Sequence, residues 1–227
     1  MNAIILAAGL GSRFKDVTKN NHKALLPIGD VPNIERTIGY LRDFGVYDIT
    51  IVTGHMSKLF DYLKYKYGCN LIFNEKYKIY NNIYSFYKAI DHFNDTIIID
   101  ADIVLLDNIF VKKKESFYYT VLREENEDYE WVPIEDNKGR VIGMDITNEH
   151  KPSMLGISYW NNEACKIIKS KVDSYMDEKI LLNPKLYWDN IPINLFNKIY
   201  VTTHFVSDNL AAEMDTIENY NEICKMV

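Results

Sequence analysis

The chain begins with a short apolar run that passes directly into small residues and cations. Residues 4–13 read Ile-Ile-Leu-Ala-Ala-Gly-Leu-Gly-Ser-Arg, and Lys23 follows ten positions after Arg13. Because glycine has no Cβ and tolerates positive φ, such a loop brings backbone N–H groups close to a ligand and forms an anion site. We predict that the loop and its two cations bind a triphosphate, through Leu6, Ala7, Ala8, Gly9, Gly11, Ser12, Arg13 and Lys23.

This glycine loop differs from two familiar phosphate-binding motifs. A Walker loop needs Gly-Lys-Ser or Gly-Lys-Thr after four residues, whereas Gly9 is followed by Leu-Gly-Ser-Arg. The dinucleotide motif needs a third glycine at the position that Phe14 occupies. A glycine pair alone would indicate only a structural turn, so the prediction depends on the full string and on the Lys-Ala-Leu-Leu-Pro that follows at 23–27.

Two acids follow a second apolar run. Asp100-Ala101-Asp102 comes directly after the run at 96–99, and residues i and i+2 of a strand point to the same side. Two adjacent carboxylates are costly unless a cation neutralises them, and Mg²⁺ on a nucleotide phosphate is the natural candidate. We predict that Asp100 contacts the nucleotide and that Asp102 is catalytic and binds the metal. The alternative is a pair of strand-end caps, and Asp107 is predicted to lie in a surface turn.

Composition limits the classes of protein that this chain can be. Its 227 residues are 47% hydrophobic and 26% charged, which suits one globular core of a soluble protein. The net charge of −6 argues against a nucleic-acid partner. Cys69, Cys165 and Cys224 lack metal-ligand spacing and are predicted to be reduced thiols of a cytoplasmic protein. The apolar start has no basic segment before it and is too short to span a membrane, so neither a signal nor an anchor is expected.

Strands and helices alternate in the first half of the chain. The patterns predict strands at 2–7, 47–53, 69–73 and 96–99. Between them they predict helices at 33–44, from Ser57 as N-cap to residue 67, and from Asn81 or Asn82 onward. Such an order indicates a parallel sheet with helices on both faces. Ligands gather at the carboxyl ends of such strands, so the glycine loop and the two acids should meet.

The second half predicts a different arrangement. Strands are expected at 116–122, 153–160 and 199–205, a hairpin at 130–134 and 140–146, and helices at 164–175 and from Thr216 to about 225. We therefore predict an α/β fold: a Rossmann-like mixed, mostly parallel sheet flanked by helices, with a small acceptor-binding extension in the second half. A single domain over 1–227 is expected, with a nucleotide-binding half at 1–110 and an acceptor-binding half at 111–227.

The motif at 7–13 with Lys23 to Pro27 resembles the signature of nucleotidyltransferases that join a nucleoside triphosphate to a phosphorylated small molecule. The run Glu-Met-Asp-Thr-Ile-Glu-Asn-Tyr at 213–220 resembles the Asp-Thr-x-x-Asp-Tyr turn of the same enzymes. This resemblance implies that Asp102 and Asp215 hold Mg²⁺ between them, with Glu213 close by. Asn219 departs from the pattern, because an acid is common at that position.

Further segments resemble the bacterial CTP:phosphocholine cytidylyltransferases, over residues 1 to about 223. They lie at 74–77, 80–85, 130–131, 156–160 and 186–190. The resemblance implies Mg²⁺-dependent transfer of CMP from CTP to phosphocholine, giving CDP-choline for the decoration of surface glycans. It also implies base contacts from the segment that enters the third helix, for which the candidates are Tyr80, Asn82 and Ser85.

A trimethylammonium group cannot donate ordinary hydrogen bonds, so aromatic faces and carboxylates would bind it. The candidates are Trp131, Tyr187, Trp188, Asp189 and Glu213, although these aromatic residues could also belong to the core. Other small acceptors stay open, namely phosphoethanolamine, 2-aminoethylphosphonate and, less well matched, a sugar 1-phosphate. A non-catalytic nucleotide-binding regulator is a further alternative, against which the intact Arg13, Lys23, Asp102 and Asp215 argue. The sequence predicts no oligomeric state, and no role for its five histidines.

Overall fold

The computed structural model describes residues 1–11, 13–14, 20–123 and 128–227. Its central feature is a seven-stranded sheet in the order β12-β8-β11-β6-β1-β4-β5. The strands of this sheet are β1 (Asn2–Ala7), β4 (Ile49–Thr53), β5 (Asn70–Phe73), β6 (Thr96–Asp100), β8 (Ser116–Val121), β11 (Ser153–Trp160) and β12 (Val201–Val206). The predicted residue Ser12 lies outside the described residues.

The four strands of the first half are parallel, as the alternating pattern predicts. β1 pairs with β4 on one side and with β6 on the other, so Leu6 lies opposite Asp100. β11 then pairs antiparallel with both β6 and β8, which makes the sheet mixed. The predicted fold class is confirmed, and the carboxyl ends of β1 and β6 lie side by side.

Seven α-helices are described: α1 (Asn33–Asp43), α2 (Tyr62–Tyr67), α3 (Asn82–Lys88), α4 (Asn162–Val172), α5 (Glu178–Leu181), α6 (Asn190–Ile193) and α7 (Ile217–Ile223). Alternate residues of β1 enter two separate cores. Ile5 packs with α1 and α2 on one face of the sheet, and Ile4 packs with α3 and α4 on the other. Helices therefore cover both faces, and none of those in the described ranges is long and apolar enough to cross a membrane.

One predicted helix is wrong in its first half. Residues Ser57–Phe60 form a 3₁₀ turn, and α2 begins only at Tyr62. Met56 precedes the turn with a φ of 50°, and the side chain of Ser57 makes no cap. A left-handed residue at this point cannot continue into a regular helix, so the chain tightens before α2 starts.

Three small β-pairs complete the architecture. β2 (Pro27–Ile28) pairs with β3 (Val31–Pro32), and β7 (Ile103–Leu105) pairs antiparallel with β13 (Ala211–Glu213). The predicted hairpin is present as β9 (Glu130–Glu135) and β10 (Val141–Thr147). The pairing of β7 with β13 was not predicted, and it brings the end of the chain back to the carboxyl end of β6.

Candidate active site

A cleft of about 370 Å³ opens at the carboxyl ends of β1 and β6. The glycine loop, the start of α3, the hairpin and the turn before α7 all contribute to its walls. Its lining includes the predicted residues Leu6, Ala7, Ala8, Gly9, Gly11, Arg13, Lys23, Asn82, Ser85, Asp100, Asp102, Trp131, Tyr187, Asp189, Glu213 and Asp215. Segments from both halves of the sequence therefore meet in one cavity.

The glycine loop leaves space toward the cleft. A Cβ built on Gly9 would meet no atom of the described residues within 4 Å, and Gly11 has a φ of 62°. Behind the loop the packing is tight, because the backbone N–H of His55 donates to the Ala8 carbonyl at 3.3 Å. The loop is thus fixed from behind and open in front, as an anion site requires.

Lys23 connects the loop to the predicted acids. Its Nζ lies 2.6 Å from Asp102 Oδ2 and 4.0 Å from Asp215 Oδ1. Burial alone would lower the pKa of Lys23, but the facing carboxylates raise it above its ordinary value. Arg13 donates to Asp215 Oδ2 at 2.8 Å, while two-thirds of its side chain stays exposed. Both predicted cations therefore point at the acidic groups in the cleft.

Three carboxylates form a compact cluster. One oxygen each from Asp102, Glu213 and Asp215 lie within 4.8 Å of one another. The pairing of β7 with β13 positions them, together with a hydrogen bond of 2.9 Å from the Met214 N–H to the Asp102 carbonyl. Thr216 then caps α7 with Asn219 as its reciprocal partner, so the predicted cap is confirmed. Carboxylate oxygens in this arrangement suit a hard divalent cation.

Burial perturbs the acids at the floor of the cleft. It raises the pKa of Glu213 to about 7, with the Asp102 charge adding to the effect and Arg123 opposing it. Burial also raises the pKa of Asp100 well above its ordinary value, and the carboxylates of Asp102, Asp189 and Glu213 add to that shift. Acids of this kind ionise readily only when a cation joins them.

His22 also lines the cleft, although no role was predicted for it. Only 2% of the residue is exposed. Its Nδ1 accepts the Ala24 backbone N–H at 3.2 Å, so the neutral ring carries its proton on Nε2 and donates it to the Gly9 carbonyl at 3.1 Å. Burial lowers the pKa of His22 to about 4, which keeps the ring neutral. One imidazole therefore joins the glycine loop to the turn that carries Lys23.

Arg123, which the sequence did not indicate, and Glu130, which lies in the segment of resemblance at 130–131 but was given no role, also line the cleft. Arg123 donates to Glu213 Oε2 at 2.7 Å and to the Met154 carbonyl at 3.0 Å. Glu130 Oε1 lies 3.6 Å from Arg123 Nε, yet burial raises the pKa of Glu130 above its ordinary value. No motif marks Arg123, which lies just beyond the end of β8, whereas Glu130 is the first residue of β9.

The first turn of α3 supplies two neutral polar groups, Asn82 and Ser85. Among the described residues, the cleft lining does not include Tyr80, whose ring packs edge-on against Tyr84 with centroids 5.3 Å apart. Asn81 caps the helix by accepting the Ile83 N–H, so the helix begins where the sequence predicts. Two of the three candidates for base contact thus reach the cavity.

An aromatic corner lies opposite, between the hairpin and the segment before α6. The rings of Trp131 and Tyr187 are perpendicular, with centroids 6.0 Å apart. Asp189 is buried beside them, and burial raises its pKa to about 7. Trp188 instead belongs to the core, where it packs against Trp160 and Phe86. Its alternative interpretation as a core residue is therefore the one that the structure supports.

A cleft of this kind at the rim of a mostly parallel sheet defines a nucleotidyltransferase, and residues 3–115 match the MobA-like NTP transferase domain. The chain is 49% identical to the choline-phosphate cytidylyltransferase of Haemophilus influenzae, over 98% of this chain and 96% of the relative. It is 30% identical to the 2-aminoethylphosphonate cytidylyltransferase of Lancefieldella rimae, over 95% of this chain and 89% of the relative.

Among solved structures, the CTP:phosphocholine cytidylyltransferase of Streptococcus pneumoniae matches with a TM-score of 0.91 and 34% identity, over 99% of this chain and 98% of that one. The chain belongs to the bacterial choline-phosphate cytidylyltransferase family. It is accordingly a transferase with cytidylyltransferase activity, and the family predicted from the sequence is confirmed.

Proposed function

We propose that this protein transfers CMP from CTP to phosphocholine, releasing pyrophosphate and using Mg²⁺. The observation that carries the proposal is the convergence of three groups in one cleft: the glycine loop with its cations, the acidic cluster and the aromatic corner. Each group suits one part of the reaction, namely triphosphate, metal and trimethylammonium. We further propose that residues 1–110 bind the nucleotide and 111–227 the acceptor, in one domain.

Donor and acceptor phosphates would meet at Lys23. A phosphate dianion is already an adequate nucleophile, so it can attack the α-phosphorus of CTP in line without a covalent enzyme intermediate. Catalysis then consists of positioning and charge neutralisation. The amides of the glycine loop and Arg13 would hold the β- and γ-phosphates. Lys23, charged and largely buried between two acids, would bridge the two substrates.

The acidic cluster fits a magnesium ion by the chemistry of its donors. Asp102 and Asp215 would hold the ion, and Glu213 lies within the same 4.8 Å. When bound, a divalent cation neutralises phosphate charge and orients the phosphates. Metal ligation needs the carboxylates in their ionised form. With those carboxylates engaged by the ion, Lys23 and Arg13, which pair with them in this structure, would become available to phosphate oxygens.

The aromatic corner suits a quaternary ammonium group. Each cation–π contact contributes about 0.5–2 kcal/mol, and the perpendicular rings of Trp131 and Tyr187 offer two different surfaces to one cation. Asp189 adds a carboxylate at the same place. A primary ammonium group would instead need several hydrogen-bond acceptors. We propose CDP-choline as the product, for the decoration of surface glycans with phosphocholine.

A matrix of substrates tests the proposal. The four nucleoside triphosphates are each combined with phosphocholine, phosphoethanolamine, 2-aminoethylphosphonate and glucose 1-phosphate, and pyrophosphate release is measured with Mg²⁺. We expect the highest kcat/KM for CTP with phosphocholine. A higher kcat/KM with an amine or sugar acceptor would mean that this acceptor, and not phosphocholine, is the substrate. If no pair of triphosphate and acceptor released pyrophosphate, the result would support a non-catalytic nucleotide-binding regulator.

The aromatic corner has its own test within this matrix. Trp131→Leu should raise the KM for phosphocholine by about tenfold, the equivalent of one lost cation–π contact, and leave the KM for CTP unchanged. Tyr65→Leu is the control, because Tyr65 is 89% exposed. An unchanged KM for phosphocholine in the Trp131 variant would exclude the corner as the choline site.

A further inference from the structure

Neutral hydrogen-bonding groups are concentrated at one wall of the cleft. The rest of its polar side-chain lining is ionisable, apart from the aromatic rings of the corner and the internally bonded His22. Asn82 and Ser85 lie three residues apart on α3, so their side chains lie on one face of the helix. A nucleobase presents a neutral edge of donors and acceptors, and this pair is the part of the described lining that matches such an edge.

Hydrogen bonds behind this wall fix which way its groups point. The Lys76 backbone N–H donates to Asn74 Oδ1 at 2.8 Å, so the Asn74 amide nitrogen must face the other way. That nitrogen donates to Ser85 Oγ at 2.9 Å. Asn74 is 1% exposed and Ser85 4% exposed, so both groups of this chain are shielded from exchange with water. One of the two acceptor lone pairs of the serine is thereby engaged from behind.

The same pattern repeats at Asn82. Its Oδ1 accepts the Trp188 backbone N–H at 2.8 Å, which leaves the amide nitrogen to face the cleft. Within the described residues, no oxygen is recorded as accepting the Ser85 hydroxyl proton or the Asn82 amide protons. The wall therefore presents two hydrogen-bond donors to the cleft. In isolation, each of these two side chains could act either as a donor or as an acceptor.

We propose that Asn74 is a specificity-determining positioning residue, which holds the Ser85 hydroxyl as a donor to the N3 acceptor of cytosine, while Asn82 donates to O2. Uracil carries a proton on N3 and would place donor against donor. The inference rests on CTP being the substrate, as proposed above. It explains the choice between two pyrimidines of the same size by the polarity of one buried amide.

Asn74→Asp tests this inference with almost no change in shape. The carboxylate still accepts the Lys76 N–H, but its second oxygen now accepts from Ser85, so the serine proton turns away and a lone pair faces the cleft. We expect the ratio of kcat/KM for CTP to that for UTP, measured with phosphocholine, to fall by about tenfold or more, the equivalent of one hydrogen bond exchanged for a repulsion. A purely structural or electrostatic effect would lower kcat/KM for CTP and for UTP by the same factor and leave the ratio of the two unchanged.

Three further variants complete the experiment. Asn82→Asp keeps the bond from Trp188 and reverses polarity opposite O2, an acceptor that both pyrimidines share, so it should lower kcat/KM for CTP and UTP alike and leave their ratio unchanged. Ser85→Ala should reduce kcat/KM for CTP and leave kcat/KM for UTP unchanged. This variant tests the donor role of Ser85 even if Asn74→Asp fails to fold. Asn161→Asp is the control, because Asn161 caps α4 outside the cleft, and aspartate caps equally well.

The outcomes separate the two proposals. If the unaltered protein shows no preference for CTP, the proposed function fails before any variant is made. If it prefers CTP but folded Asn74→Asp and Ser85→Ala both keep the original ratio, the role of Asn74 is overturned. A fall in the ratio in both, with Asn161→Asp unchanged, supports it.

Discussion

In the proposed reaction, Lys23 is the side chain on which binding and chemistry would depend most directly. Removing one donor positioned at the charge that develops in an acyl-transfer transition state costs about 10²–10³ in kcat, and we expect Lys23→Ala to lose at least that much, measured by pyrophosphate release. Lys151→Ala is the control, since that lysine is exposed and pairs with Glu149 at the surface. Near-normal turnover of the Lys23 variant would contradict the proposed mechanism.

His22 offers a test of how the glycine loop is held. In His22→Gln the amide nitrogen can reach the position of Nε2 and donate to Gly9, whereas in His22→Asn the amide oxygen can replace only Nδ1 and accept from Ala24. We expect the asparagine variant to raise the KM for CTP about 3- to 10-fold, and the glutamine variant to raise it less. His204→Asn, at the far edge of the sheet, is the control, and equal KM values for both His22 variants would contradict this role.

The side chains that the sequence predicted are those within recognisable strings. Lys23, Asp102 and Asp215 follow from the loop, the strand end and the final turn. His22 and Arg123 could not be found in this way, because neither lies in such a string and only the folded chain places them in the cleft. Glu130 lies in the segment at 130–131, but the sequence predicted no role for it. Tyr80 shows the opposite case: its segment reaches the cleft, but its ring packs against Tyr84 instead.

The end of β4 limits how the glycine loop can sit. A Cβ on Gly54 would lie 2.6 Å from the Tyr77 Cβ and 2.7 Å from the Ala8 carbonyl oxygen. Gly54→Ala should therefore lower the free energy of unfolding by about 1–3 kcal/mol and raise the KM for CTP. Gly39→Ala is the matched control: it lies in α1 with open space around it, and should increase stability by about 0.5–1 kcal/mol. Denaturant unfolding measures both.

Glu35 joins α1 to α2 through three donors. Its carboxylate accepts from Tyr62 at 2.8 Å and from Lys66 and Tyr67 at 2.5 Å. Burial alone would raise the pKa of Glu35, but these hydrogen bonds lower it below its ordinary value. Glu35→Gln should cost about 1–3 kcal/mol of stability at neutral pH.

The pH dependence of this loss follows from the sign of the shift. Because the folded pKa of Glu35 is lowered, its stabilisation is present above the unfolded pKa and disappears as the pH falls through the folded one. The difference between the original protein and Glu35→Gln should accordingly shrink in acid, measured by denaturant unfolding between pH 3 and 7. Glu149→Gln at the surface should show no measurable difference, and a constant gap for Glu35 would contradict the assignment.

The regular elements could be predicted and the irregular ones could not. β1, α1 and the hairpin follow from periodicity and turn residues, because each buries one consistent face. β7 and β13 have three residues each, too few to show a period, and they form only because they pair with each other. The 3₁₀ turn at 57–60 escapes prediction for a related reason, since the positive φ of Met56 is set by tertiary packing.

Ligand binding should stabilise the protein as a unit. A ligand at 100 times its Kd adds about 2.7 kcal/mol, and we expect CTP with Mg²⁺ to raise the Tm by roughly 5–10 °C in a chain of this size. A chelator should remove most of this shift and abolish activity. Asp102→Asn should show a smaller shift at the same concentrations, whereas an identical shift with and without Mg²⁺ would contradict the metal site.

The ion pairs of Lys23 with Asp102 and of Arg13 with Asp215 have a consequence for how binding responds to salt. Each carboxylate already has an internal counter-charge, so the cleft can form without a metal. In the proposed reaction, taking up a magnesium nucleotide would amount to ion exchange: the lysine and arginine would pair with phosphate instead of carboxylate, and the carboxylates would hold the metal instead of the side-chain cations. The number of paired charges would then be nearly the same before and after binding. We therefore expect nucleotide affinity to depend on ionic strength far less than it would in a cleft whose two cations had no carboxylate partners.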